Sequence, residues 1–80
     1  MPTDWKAAVE ALTDHERELL VCVANGMSVR EITEAWERSP KTIEFHVQKL
    51  HKKLGVHNRA QLTRIAVAAG LVTVEWEKPA

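Results

Sequence analysis

The sequence predicts an all-α fold of four short helices joined by tight connections. Three observations predict it: helix-start signals recur at regular distances, glycines stand where each apolar run ends, and apolar residues repeat at intervals of three and four. Eighty residues make one domain, and burial of roughly 60 % of the unfolded surface leaves little room for an internal catalytic cleft. An apolar fraction of 45 % argues against disorder. The longest apolar runs fall far short of the ~20 residues that cross a bilayer, so no membrane is expected as a partner.

Taken in order, Thr13 stands three residues before Glu16, so hydroxyl and carboxylate can each satisfy an orphan backbone donor in a capping box. A helix over about 14–25 follows, carrying Leu19, Leu20 and Val23 and meeting Gly26. Ser28 and Glu31 repeat the box, with Val29, Ile32 and Trp36 as a buried stripe, and predict a helix near 29–36. Ser39-Pro40 opens the third, since proline at the first helical position loses only a donor that is orphaned anyway. Ile43, Val47, Leu50 and Leu54 then share one edge up to Gly55, giving a helix over about 40–54. Asn58 with Gln61 opens the last, about 59–69, with Leu62, Ile65, Ala66 and Ala69 inward and Gly70 closing it. Residues 1–11 form an extension in which Asp4 to Ala11 could add a short leading helix, with Trp5, Val9 and Leu12 apolar. Residues 73–80 read as a tail in which Val74 and Trp76 alternate as in a strand. Trp5 and Trp76 are expected to cover the ends of the core.

The lone Cys22 cannot form an internal disulfide, and residues 1–11 lack the apolar stretch of a secretory signal, so a reducing, cytoplasmic setting is expected. Cys22 is read as a small buried hydrophobe. His15, His46, His51 and His57 form no metal spacing with one another or with Cys22, so neither a metal nor any other cofactor is expected. His46 shares the face of Ile43 and Leu50 and is read as a packed histidine. No Ser-His-Asp grouping, carboxylate pair or Gly-rich phosphate loop supports an enzyme.

Zero net charge, from eleven basic and eleven acidic residues, gives no bulk attraction to nucleic acid. Its distribution does. Residues 1–37 hold three basic and eight acidic groups, residues 38–64 seven basic groups against Glu44 alone, and the remainder Glu75, Glu77 and Lys78. The 40–54 helix is a basic rod on an acidic body. A helix of about 10–12 Å across fits the DNA major groove, with lysines at the phosphates and other side chains at base edges. The plain alternative is a solvated helix face. A short capped helix, a tight turn and a Ser-Pro-capped basic helix together form a helix-turn-helix pattern, which favours DNA.

The run Leu12-Thr13-Asp14-His15-Glu16-Arg17-Glu18-Leu19-Leu20 leads to Gly26-Met27-Ser28-Val29-Arg30-Glu31-Ile32. Ser39-Pro40-Lys41-Thr42-Ile43-Glu44-Phe45-His46, Lys53-Leu54-Gly55-Val56 and Asn58-Arg59 follow. With these motifs, residues 12–72 resemble the LuxR-type helix-turn-helix family. The resemblance implies a DNA-binding domain that reads double-stranded DNA with its third helix, dimerises largely through its last and regulates transcription in bacteria. It puts Glu44, Phe45 and Gln48 at base edges. Gln48 can pair with adenine, Glu44 can accept from the cytosine amino group and Phe45 can meet a thymine methyl. Unless it finds that donor, Glu44 needs Lys41 or Lys52 as a counterion; its alternative is a solvated, salt-bridged side chain. Ser28, Arg30, Lys41, Thr42, Lys49, Lys52 and Arg59 look like the phosphate set. Thr42 has an alternative in its own helix cap, and Lys53 one against Glu16.

Ala60, Thr63 and Val67 form a second stripe on the last helix, which the resemblance implies is a homodimer interface. RNA polymerase or another regulator is a further expected partner. Family members usually carry an N-terminal receiver or sensing domain. Met1 and the short lead suggest a stand-alone regulator, although an excised domain would read identically. Three residues depart from the family pattern: Thr33 where alanine is usual at the helix crossing, Glu37 where glycine is frequent in the turn, and Arg38 where an apolar residue enters the core. With the zero net charge and Glu44 on the reading face, the altered turn motivates an alternative function, a protein-interaction module or anti-activator that keeps the fold without specific DNA binding.

Overall fold

The structure, a computed structural model, describes residues 4–73. Five helices form: α1 (Trp5–Glu10), α2 (Asp14–Ala24), α3 (Val29–Trp36), α4 (Pro40–Leu54) and α5 (Arg59–Ala68). The four expected helices are present within a residue of their expected ends, and α1 is the short leading helix. The alternation of Val74 and Trp76 and the rest of the 74–80 tail lie outside the described residues.

Local chemistry accounts for each boundary. Both capping boxes close: Thr13 Oγ1 accepts from the Glu16 amide at 3.1 Å while Glu16 accepts from the Thr13 amide at 3.0 Å. Ser28 and Glu31 repeat the exchange at 3.1 and 3.0 Å. Ser39 Oγ accepts from the Thr42 amide at 3.2 Å and lies 2.8 Å from the Thr42 hydroxyl, with Pro40 at the first helical position. Asn58 accepts from the Gln61 amide at 3.0 Å, but Gln61 accepts from His57 rather than returning a bond to Asn58. The box at α5 is therefore shifted by one residue.

The core is a single apolar cluster. Leu19 and Leu20 of α2, Ile32 of α3, Ile43, Leu50 and Leu54 of α4, and Leu62 and Ile65 of α5 are sealed from solvent. Each is worth roughly 1.5–3 kcal/mol relative to exposure. α2 packs along α5 and α3 along α4, while α1 and α2 also touch α4. Val9 and Leu12 extend the cluster beneath α1, and Trp5 is half-buried against it. Trp36 and Cys22, both expected inside, are half-buried at its edge.

The α3–α4 turn holds the consequence of one unusual residue. Glu37 takes φ 54° and ψ 43°, the left-handed region, and the Arg38 amide reaches back to the Thr33 carbonyl at 3.2 Å. That left-handed residue ends α3 and lets Ser39 start α4 two residues later. Gly55 does the same for α4 at φ 65°, where a glycine carries no steric cost. Arg38, at the expected apolar position, is exposed, and the Thr33 hydroxyl is buried without a hydrogen-bond partner among the described residues.

Relieving the side-chain clash at residue 37 outweighs the extra entropy that glycine loses on folding. Glu37→Gly is therefore expected to stabilise the domain by roughly 0.5–1 kcal/mol and to raise its melting temperature by a few degrees. A lower melting temperature in thermal denaturation contradicts this account of the turn.

Candidate nucleic-acid interface

α4 is divided lengthwise by its own periodicity. Ile43, Leu50 and Leu54 are buried on one side, with Val47 half-buried beside them, and Lys41, Glu44, Phe45, Gln48, Lys49 and Lys52 are exposed on the other. Those six follow steps of three, one, three, one and three, which keeps them on one stripe of a helix with 3.6 residues per turn. The stripe contains all three expected base readers and three of the expected phosphate contacts. Phe45 is 61 % exposed, the bulkiest apolar side chain open to solvent among the described residues. Lys49 places its ammonium 5.6 Å from the Phe45 ring centre, so this cation steadies the ring without covering it. Glu44 has no ion-pair partner among the described residues.

The flanks come from other elements. Ser28, exposed at the start of α3, accepts from the Glu31 amide through its oxygen. The Ser28 backbone N–H and hydroxyl hold the Glu31 carboxyl below the usual carboxylate range. Arg30 is exposed, and its 3.5 Å pairing with Glu34 is between two open side chains, so water and other anions compete for it. Thr42 is half-buried and shares its hydroxyl with Ser39, the alternative the sequence left open.

Two basic residues have structural partners. Lys53 Nζ meets Glu16 at 2.5 Å, tying the end of α4 to the start of α2. That bond, then the Thr13 backbone N–H, hold the Glu16 carboxyl down at about 2 from an ordinary 4.5. Arg59, expected at a phosphate, donates from Nε and Nη2 to the Val23 carbonyl at 3.3 and 3.1 Å and from Nη2 to the Met27 carbonyl. It braces α5 against the last turn of α2, whose Val23 carbonyl also accepts from the Gly26 amide, and against the α2–α3 connection, leaving Nη1 uncommitted. Nothing local in the sequence signals this contact, which joins residues 36 positions apart.

A row of rings also escaped sequence reasoning. His15 lies against Trp36 with centroids 4.8 Å apart and the ring planes tilted by 49°, meets His46 edge-on at 5.8 Å, and His46 lies 5.8 Å from Phe45. His46 is half-buried in this row rather than sealed in the core. On α5, Ala60 and Val67 are exposed and Thr63 is half-buried, on the side opposite Leu62, Ile65 and Ala66. The Thr63 hydroxyl donates to the Arg59 carbonyl at 3.1 Å, so the stripe offers methyl groups rather than a free hydroxyl. Among the described residues no group of His, Cys, Asp and Glu is placed to hold a metal ion, and no helix is long and apolar enough to cross a membrane.

A sequence model of the luxR family of bacterial regulatory proteins matches residues 10–66. This chain belongs to that family. The match runs from the end of α1 into α5 and includes the whole luxR-type helix-turn-helix. Among curated relatives, the chain is 28 % identical over 74 residues to the response regulator UvrY of Escherichia coli (strain K12), covering 92 % of this chain and 34 % of that protein. It is 40 % identical over 60 residues to the probable transcriptional regulatory protein SgaR of Hyphomicrobium methylovorum, covering 75 % and 28 %. It is 42 % identical over 55 residues to the transcriptional regulatory protein UhpA of Escherichia coli (strain K12), covering 69 % and 28 %. The chain thus spans about a third of the length of the relatives it matches.

The Glu16–Lys53 contact makes a pH prediction. Glu16 releases its proton more readily folded than unfolded, so its contribution is complete above about pH 5 and fades as pH falls toward about 2. Glu16→Gln keeps the capping geometry and removes the charge. With Lys53 44 % exposed, solvent reduces the expected loss to about 1 kcal/mol at pH 7. Denaturant titrations of the two proteins are expected to converge between pH 5 and 2, whereas a constant gap contradicts the assignment.

Proposed function

We propose that this chain binds double-stranded DNA sequence-specifically as a homodimer and regulates transcription, with α4 lying in the major groove. The observation that carries the reading is the single exposed stripe on α4, which joins three uncommitted lysines to Glu44, Phe45 and Gln48. Its residue types suit a major-groove edge: Gln48 for adenine, Glu44 for a cytosine amino group and Phe45 for a thymine methyl. Lys41, Lys49 and Lys52, with Ser28, Arg30 and Thr42 at helix starts, suit backbone phosphates, where helix N-termini also favour anions. Arg59 contributes at most its Nη1 donors and chiefly braces α5 against α2. The relatives described as transcriptional regulatory proteins support the same reading.

Two copies would meet through Ala60, Thr63 and Val67, where small and branched side chains allow close approach of the α5 helices. A two-fold pair sets two α4 helices about one DNA turn apart, roughly 34–36 Å, and so requires a two-fold-related operator. One copy offers too few base contacts for high discrimination, so the dimer is the unit of recognition.

Binding is expected to weaken steeply with salt, and Lys49→Ala with Lys52→Ala should lower the slope of log affinity against log salt by about 0.9 per lysine in each subunit. The double variant is expected to lose affinity equally for all sequences. Gln48→Ala instead costs roughly 1–3 kcal/mol on the preferred sequence alone. A salt-independent affinity, or a lysine variant that binds as well as the parent, overturns DNA binding and leaves a protein-interaction module.

A further inference from the structure

α2 turns Leu19, Leu20 and Val23 into the core and presents Asp14, Glu18, Val21 and Cys22 on its other side. Trp36, the last residue of α3, and Leu71, beyond α5, join that side to form an open groove of about 530 Å³. A neighbouring hollow of about 480 Å³ shares Val21 and Leu71 and continues to Thr73. No residue of α4 lines either one, so the groove is separate from the proposed DNA face.

Its chemistry is specific in two respects. Val21, Cys22, Trp36 and Leu71, all half-buried, supply an apolar floor. Asp14 and Glu18 stand on the rim, exposed and without ion-pair partners among the described residues. Glu18 precedes Cys22 by one helical turn on α2, which sets both on the same side of that helix; burial, then the Glu18 charge, push the Cys22 thiol up. Arg17 also lines the groove, with Nη2 donating to the Val9 carbonyl at 3.4 Å, so two carboxylates stand there against one guanidinium.

We propose that this groove docks a basic peptide segment of another protein, with one aromatic or long aliphatic side chain as its anchor. The anchor covers the Trp36–Leu71 floor, and lysine or arginine side chains beside it meet Asp14 and Glu18. Charge selects this occupant over the alternatives. The groove lies on the half of the chain with eight acidic and three basic residues, so a second copy approaching with the same face is repelled. The chain's own residues 74–80 bring Glu75 and Glu77 against Lys78, a net negative charge toward a negative rim. Because the groove and α4 do not overlap, a partner held here would ride on a DNA-bound chain.

The test is selection of a displayed library of random peptides against the full chain, followed by amide NMR titration of the full chain with the synthetic form of the peptide most enriched. The expected winners carry lysine and arginine around a single large apolar residue, and they shift the amides of Val21, Cys22, Trp36 and Leu71. Glu18→Lys, at an exposed position, is expected to weaken binding roughly three- to tenfold, and added salt to weaken it further. No enrichment, acidic winners, shifts confined to α4, or indifference to Glu18→Lys overturns the proposal. So does movement of those four amides caused by Trp76→Ala alone, which assigns the groove to the chain's own C-terminal residues. Concentration-dependent movement without peptide also overturns it, by assigning the groove to a second copy.

Discussion

Burial of one edge of α4 is the constraint on which the rest of the structure depends. Ile43, Leu50 and Leu54 recur at helical spacing and are almost wholly removed from water. Once that edge is buried in one cluster with Leu20, Ile32 and Leu62, the helix has no rotational freedom left. Lys41, Glu44, Phe45, Gln48, Lys49 and Lys52 must then face outward together. Function and packing are two readings of one periodicity, and a single residue of slippage would bury charge and expose leucine. Ser39-Pro40 and Gly55 fix where that periodicity starts and stops. The left-handed Glu37 fixes how closely α3 precedes it.

Electrostatics refine this arrangement. The excess of basic residues over 38–64 is large in the sequence, yet part of it is used internally. Lys53 is bonded to Glu16 and Arg59 to the last carbonyls of α2, contacts that join α4 and α5 to α2. The outward stripe keeps three lysines and one carboxylate, a modest positive field. Under the proposed function, non-specific attraction to phosphates is then weaker than the raw count suggests, and base contacts together with pairing through α5 would supply more of the discrimination. The acidic half is held on α1 to α3, where it frames the groove beside Trp36.

What was legible in the sequence was local or periodic. The two capping boxes, Ser39-Pro40 and the glycines after α2, α4 and α5 are interactions within a few residues, and they placed four helices within a residue of their ends. The 43-47-50-54 spacing likewise identified the buried edge of α4, while the family resemblance implied which of its residues face outward. Contacts between distant segments were not legible. The grip of Arg59 on Val23 depends on how α5 lies along α2, and the rings of His15, Trp36, His46 and Phe45 come from three different helices. Trp36 was expected inside from its spacing with Val29 and Ile32, and Cys22 because free cysteines are usually buried, whereas a core this small leaves both at its margin. Glu37 was visible as a departure from the family pattern, but only the backbone shows that it adopts the left-handed conformation glycine would have taken.

The most direct test of the central claim, that the outward stripe of α4 reads DNA in a two-fold pair, is selection of bound duplexes from a random library. The account predicts enrichment of an inverted repeat whose half-sites are centred about one helical turn, roughly 10 base pairs, apart. Gln48→Ala should relax preference at the same position in both halves. Failure to enrich any sequence at low salt, or enrichment that Gln48→Ala leaves unchanged, would contradict it.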